Sequence, residues 1–160
     1  MSTTSQAYGL IPVFHPSGQN RANKYTIATG YAANIFKGDL VKVHTDGTLN
    51  IGDGTSPAVG VFVGCEYTDA NGKPTVSPYW PTGTAATNIV AYVIDDQQTM
   101  FKVGVTANAS GYDQTVVGQQ ANLSNVGTGT TSNGLSASSV ATAAIAAGTL
   151  AQVRIMGDVN

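Results

Sequence analysis

Short apolar runs of period two, separated by Asp-Gly and Asn-Gly pairs, constrain this chain more than any other feature. Leu40-Val41-Lys42-Val43-His44 alternates as a half-buried strand does, and Thr48-Leu49-Asn50-Ile51 follows it across Asp46-Gly47. A tight antiparallel connection needs positive φ, which glycine adopts without a Cβ clash, so these two runs read as a hairpin. Asn71-Gly72 supplies a second such turn. Ahead of it, Ala58 to Tyr67 is nearly continuous in apolar residues and belongs at the centre of a sheet. The return run Thr75 to Trp80 contains Pro78, which cannot donate to a ladder, and so reads as an edge or bulged strand. Tyr25 to Ala28 is a further short strand, Ile89–Ile94 and Met100–Val105 read as a strand pair joined by Asp95–Thr99, and Leu150–Met156 reads as the last strand. Residues 118–135 are rich in Gly, Asn, Thr and Ser and read as a long loop; residues 136–148 are compatible with a short helix ending at Gly148 or a small-residue strand and turn, but hold few large apolar side chains and are expected to be irregular. The fold expected is all-β, a compact antiparallel sandwich or small barrel.

At 160 residues the chain suits one domain, which buries roughly 70% of its unfolded surface without staples. Only 10% of residues are charged, against about 25% in a typical soluble domain. Thr, Ser, Asn and Gly fill the polar positions instead, a composition suited to strands, turns and surfaces that become interfaces. The net charge is −2 and the seven basic residues are scattered, so no basic stripe tracks a nucleic acid. The single cysteine, Cys65, rules out an internal disulfide and any multi-cysteine zinc site; its apolar neighbours Val61 to Val63 predict an inert buried thiol. No run approaches the ~20 apolar residues of a membrane helix, and Met1 to Gln6 is polar, unlike a secretory leader. Assembly in a cytoplasm is the expectation.

Residues 1–23 are set apart as an extended N-terminal arm, with residues 24–160 a single β domain carrying a loop-rich insertion at about 106–149. Within the arm, Tyr8-Gly9-Leu10-Ile11-Pro12-Val13-Phe14 is apolar and interrupted by proline. Such a segment is either a first strand on its own core or an arm that pairs with a neighbour, and Tyr8, Leu10, Ile11, Val13 and Phe14 are its candidate contact residues.

Recognisable catalytic groups at workable spacing are missing. His15 and His44 have no helical His or Glu partner, and no Walker-type loop or dinucleotide fingerprint occurs. Asp95-Asp96 is expected to cap turn amides rather than hold a cation, and Asp53-Gly54-Thr55 lacks the spacing of a calcium loop. Tyr79-Trp80-Pro81 offers either a stacking face for a sugar or ordinary packing. No enzyme, metal site or cofactor is expected.

In their order, Gly38-Asp39-Leu40-Val41, Asp46-Gly47-Thr48-Leu49, Asp53-Gly54-Thr55-Ser56 and Ala58-Val59-Gly60-Val61 resemble the body of lambda-type phage head decoration proteins. The combination of Gly60-Val61-Phe62, Asn71-Gly72, Tyr79-Trp80-Pro81 and Asp95-Asp96 to Phe101 is similar to small structural proteins of marine tailed phages. The resemblance covers about residues 38–105; the stretch 106–149 has no counterpart. It implies a compact, β-tulip-like fold, homotrimers, and a place on the capsid surface of the virion, where the arm adds a strand to the major capsid protein. The alternatives carried from the residues are another virion component, such as a head fibre or tail protein, and a carbohydrate-binding β-sandwich.

Overall fold

The computed structural model describes residues 8–53, 56–106, 114–146 and 151–157. In chain order the strands are β1 (Ile11–Phe14), β2 (Asn23–Tyr25), β3 (Leu40–Val43), β4 (Leu49–Ile51), β5 (Gly60–Asp69), β6 (Pro74–Ser77) and β7 (Ala86–Ile94). They continue as β8 (Met100–Lys102), β9 (Gly104–Thr106), β10 (Gln120–Ser124), β11 (Gly129–Thr130), β12 (Leu135–Ser136), β13 (Ser139–Ala146) and β14 (Val153–Arg154). The fold is all-β, and among the described residues the one helical piece is a 3-10 turn at Gln114–Val116.

A six-stranded sheet runs β2-β7-β5-β3-β4, with β6 lying on β5 beyond the end of β3. Its hairpin β3–β4 pairs Val41 with Ile51 and Val43 with Leu49. The Asp46 carboxylate closes the turn by accepting the Thr48 amide and hydroxyl at 2.9 and 2.7 Å. These hydrogen bonds hold the Asp46 carboxyl at about 2. In the β5–β6 turn the Asp69 carboxylate accepts the amides of Asn71 and Lys73 in the same way. β5 is central, as its apolar run predicts. A register shift against β7 between Phe62 and Gly64 switches its inward set from Phe62 to Cys65 and Tyr67.

The second sheet, β14-β10-β13-β9, is antiparallel except where β13 runs parallel to β9. Two ribbons, β1–β8 and β11–β12, complete the architecture. The described strands close no barrel, so sandwich-like packing is the one of the two expected forms that holds. One core lies on the Phe62 face of the six-stranded sheet, among Ile27, Ile35, Val41, Leu49, Trp80 and Val93. A second lies between the sheets, where Leu40 and Val61 meet Leu10, Ala121, Leu123, Val140 and Ile155. Adjacent residues of β3 and β5 thus serve opposite cores, as alternation along a strand requires.

Three expectations are corrected. Within the stretch 106–149, read as a loop-rich insertion, the described residues 114–146 are not chiefly loop: they supply β10 to β13, and Ala121, Leu123 and Val140 are buried. β13 carries mostly small side chains, but ladders to β10 on one edge and β9 on the other satisfy its backbone. Met100–Val105 does not pair with Ile89–Ile94, because both edges of β7 are taken by β5 and β2. The run instead divides into β8, which pairs with β1, and β9, which pairs with β13. The last strand is shorter than read, Val153–Arg154 on β10, with Leu150 outside the described residues.

Candidate functional site

The segment read as an arm divides at the surface of its own chain. Met1 to Ala7 lie outside the described residues. Leu10 is 4% exposed in the second core, and Tyr8 is half-buried. The Leu10 amide donates to the Gly38 carbonyl at 3.0 Å. Gly9 and Gly38 allow that approach: both have positive φ, and a Cβ on Gly9 would stand 2.8 Å from Ser136 Cβ and 2.9 Å from the Gly38 oxygen. Beyond Leu10 the chain becomes β1, pairing Ile11 with Lys102, Pro12 with Phe101 and Phe14 with Met100.

Of the five candidate contact residues, Leu10 is therefore withdrawn into the core. Ile11, Val13 and Phe14 are 42%, 55% and 53% exposed, and Met100 beside Phe14 is exposed as well. Scattered exposed apolar residues are ordinary, but three on one four-residue strand are not. Among the described residues β1 has no second strand partner. A shallow cleft of about 340 Å³ lies beside it, lined by Tyr8, Ile11, Pro12, Val63 and Lys37. Val63 also borders a second cleft of about 420 Å³ with Val76, Pro78 and Tyr92. An apolar surface with one charged residue among its lining, Lys37, thus runs from β1 across β5 to β6, where Val76 is 83% exposed.

No family model, curated protein or solved structure matches this chain. Its chemistry therefore has to be read from its own side chains.

His15, just past β1, links Ser17 and Asp96. The Ser17 amide can only donate, so Nδ1, which receives it at 3.1 Å and the Ser17 hydroxyl at 2.6 Å, is the accepting nitrogen. Nε2 then carries the proton and donates to the Asp96 carboxylate at 3.0 Å. A hydroxyl, an imidazole and a carboxylate in a row have the outline of a nucleophilic relay. Here the Ser17 amide is spent on the imidazole and the Gly18 amide on the His15 carbonyl at 2.9 Å, so neither is left to receive an oxyanion. The arrangement fastens the exit of β1 to the β7–β8 turn.

The neighbouring carboxylates are likewise occupied. Asp96 accepts the Gln98 amide, while Asp95 accepts Asn23 Nδ2 and the Tyr25 hydroxyl at 2.7 Å. Asp53 accepts the Ser56 amide and hydroxyl together with Lys42 Nζ. Among the described residues no three His, Cys, Asp or Glu side chains gather as a metal-holding group. Trp80 offers no stacking face, being 0% exposed and set edge to face on Tyr67 at 5.3 Å, while the half-buried Tyr79 stacks on Phe36.

Cys65 is buried, its Sγ directed at the Tyr79 carbonyl, and desolvation pushes its thiol up to about 12. Native protein at pH 8 should therefore resist Ellman's reagent on the timescale in which guanidinium-unfolded protein reacts fully; rapid native labelling would contradict this placement.

The residue to which sequence reasoning gave no role is Asp39. Fully buried, it receives four hydrogen bonds, three of which tie the segment Gly127–Ser138 to the entry of β3 while the fourth comes from the Phe36 amide. The available signal was an aspartate set between Gly38 and an apolar strand, where a carboxylate has to find donors or face water.

Proposed function

We propose that the chain is a non-enzymatic decoration protein that binds the outer surface of a mature phage head through β1 and stabilises it by bridging coat subunits. The observation that carries the proposal is the outward Ile11, Val13 and Phe14 on a strand with one edge unpaired among the described residues. A strand of the major capsid protein laid along that edge satisfies its backbone groups and covers its apolar side chains at once. The charge-poor composition and the ordered motifs from Gly38 to Phe101 support the same reading. Small contacts repeated over a lattice add by avidity, so no single deep pocket is required. Homotrimers at local three-fold positions complete the proposal.

The test uses expanded phage heads assembled from a purified major capsid protein. Converting Val13 and Phe14 together to serine removes the two most exposed apolar groups of β1 and leaves Leu10 in place. Loss of about 3 kcal/mol of apolar burial should weaken binding by roughly 100-fold with little change in the unfolding midpoint. Undiminished binding, or a copy number far below that of the coat protein, would sink the proposal. Light scattering should return three times the mass of one chain.

A further inference from the structure

The place where the N-terminal segment rests is unusually selective about its occupant. Its mouth is formed by Gly38 and Ser136, and it accepts a backbone only where no Cβ is present, as at Gly9, followed by an apolar side chain for the second core, as at Leu10. The incoming amide at Leu10 must then meet the Gly38 carbonyl. A Gly-Leu pair followed by a strand fits; most foreign strands carry a Cβ that collides.

The hold on this segment is also local. β1 makes three residue pairings with β8, interrupted by a register shift between Pro12 and Phe14, and Pro12 has no amide to donate. Past His15, every residue from Pro16 to Ala22 is exposed. Proline at 16 favours an extended His15, and Gly18 stands at a φ of +75°. Drawn out, these seven residues span about 23–25 Å, enough to reach an adjoining molecule of this size.

We propose that residues Tyr8–Phe14 exchange between copies of this chain, the segment of one molecule occupying the place beside Gly38 and β8 of the next. Every contact made within one chain is remade between two, so the exchange is nearly isoenergetic and concentration sets its extent. The outward side chains of Ile11, Val13 and Phe14 keep their exposure, because the contacts traded are the Gly9–Leu10 insertion, the β1–β8 pairing and the His15–Asp96 hydrogen bond at the exit of β1. The inference concerns self-association and stands whether or not a phage shell is the final partner.

Opposed residues on an antiparallel pair lie about 4.5–5.5 Å apart at Cα, inside the range a disulfide spans. Ile11 and Lys102 are such a pair, and both are exposed, so a chain carrying Ile11→Cys and Lys102→Cys should fold. The buried Cys65 stays in place, and N-ethylmaleimide added before denaturation stops any shuffling. After oxidation, a non-reducing gel should show covalently joined chains whose share rises with protein concentration during refolding, absent from either single-cysteine control. Chains bridged only internally at every concentration would overturn the proposal. If oxidation fails altogether, native mass spectrometry of mixed heavy and light wild-type protein decides: no mixed species at high concentration would also overturn it.

Discussion

Asp39→Ala is expected to lower the unfolding free energy by about 3–5 kcal/mol, seen as a large fall in the urea midpoint. Asp39 Oδ1 accepts the Ser136 and Ser138 hydroxyls at 2.5 and 2.8 Å and the Gly127 amide at 3.2 Å, while Oδ2 accepts the Phe36 amide at 2.9 Å. The two serines touch at 2.8 Å, so one hydroxyl can donate to the other, but the second hydroxyl proton and the amides of Phe36 and Gly127 lose their acceptor. Asn in place of Asp keeps the shape but turns an NH₂ group toward either Phe36 or the other three donors. It should fall between wild type and Ala.

The pH dependence separates charge from geometry. Burial raises the Asp39 carboxyl above its ordinary 3.8, against four hydrogen bonds that pull it down. A carboxyl raised in the folded state binds protons more tightly there than in the unfolded chain. Its contribution is full below 3.8 and is lost as pH rises through the folded value. Asp46, held at about 2, behaves oppositely, contributing above 3.8 and failing as pH falls toward 2. The stability gap between wild type and Asp39→Asn should therefore be widest in acid and shrink toward neutrality, because Asp46 is common to both chains and cancels. A gap that widens with pH would mean that the donors outweigh desolvation.

Much of the six-stranded sheet was legible because its signals are local. Asp46-Gly47 and Asn71-Gly72 sit at turns whose geometry needs their residue types, with Gly47 at φ +82° and Gly72 at +78°. The second sheet was not, since its evidence is distributed. Ala and Ser along β13 say nothing alone about a strand; what sustains them is β10 and β9, whose sequences lie 15 or more positions away. The division of β8 from β9 was hidden for a similar reason, as it follows from β7 having no edge to spare. At the candidate surface, the apolar character of Tyr8–Phe14 was evident, but which side chain turned inward depended on Gly9 meeting Gly38, a contact no periodicity encodes.

The second large effect is expected at Trp80. Trp80→Ala should cost about 3–5 kcal/mol, because a fully buried indole leaves a cavity its neighbours only partly fill. The backbone there is pinned by reciprocal hydrogen bonds with Ile35 at 2.8 and 3.1 Å, so this bridge past the end of β6 resists an inward shift. Trp80→Phe makes the sharper comparison. Phenylalanine keeps a ring against Tyr67 and also removes Nε1–H, which is buried and finds no hydrogen-bond partner among the described residues. Relief of that unsatisfied donor offsets part of the lost area, so Trp80→Phe should cost only about 1–2 kcal/mol. Equal losses for Phe and Ala would mean that the indole nitrogen is bonded after all. A glycan-binding assay controlled by Trp80→Ala would then register unfolding rather than recognition, since the residue has no face to offer a sugar until the core around it opens.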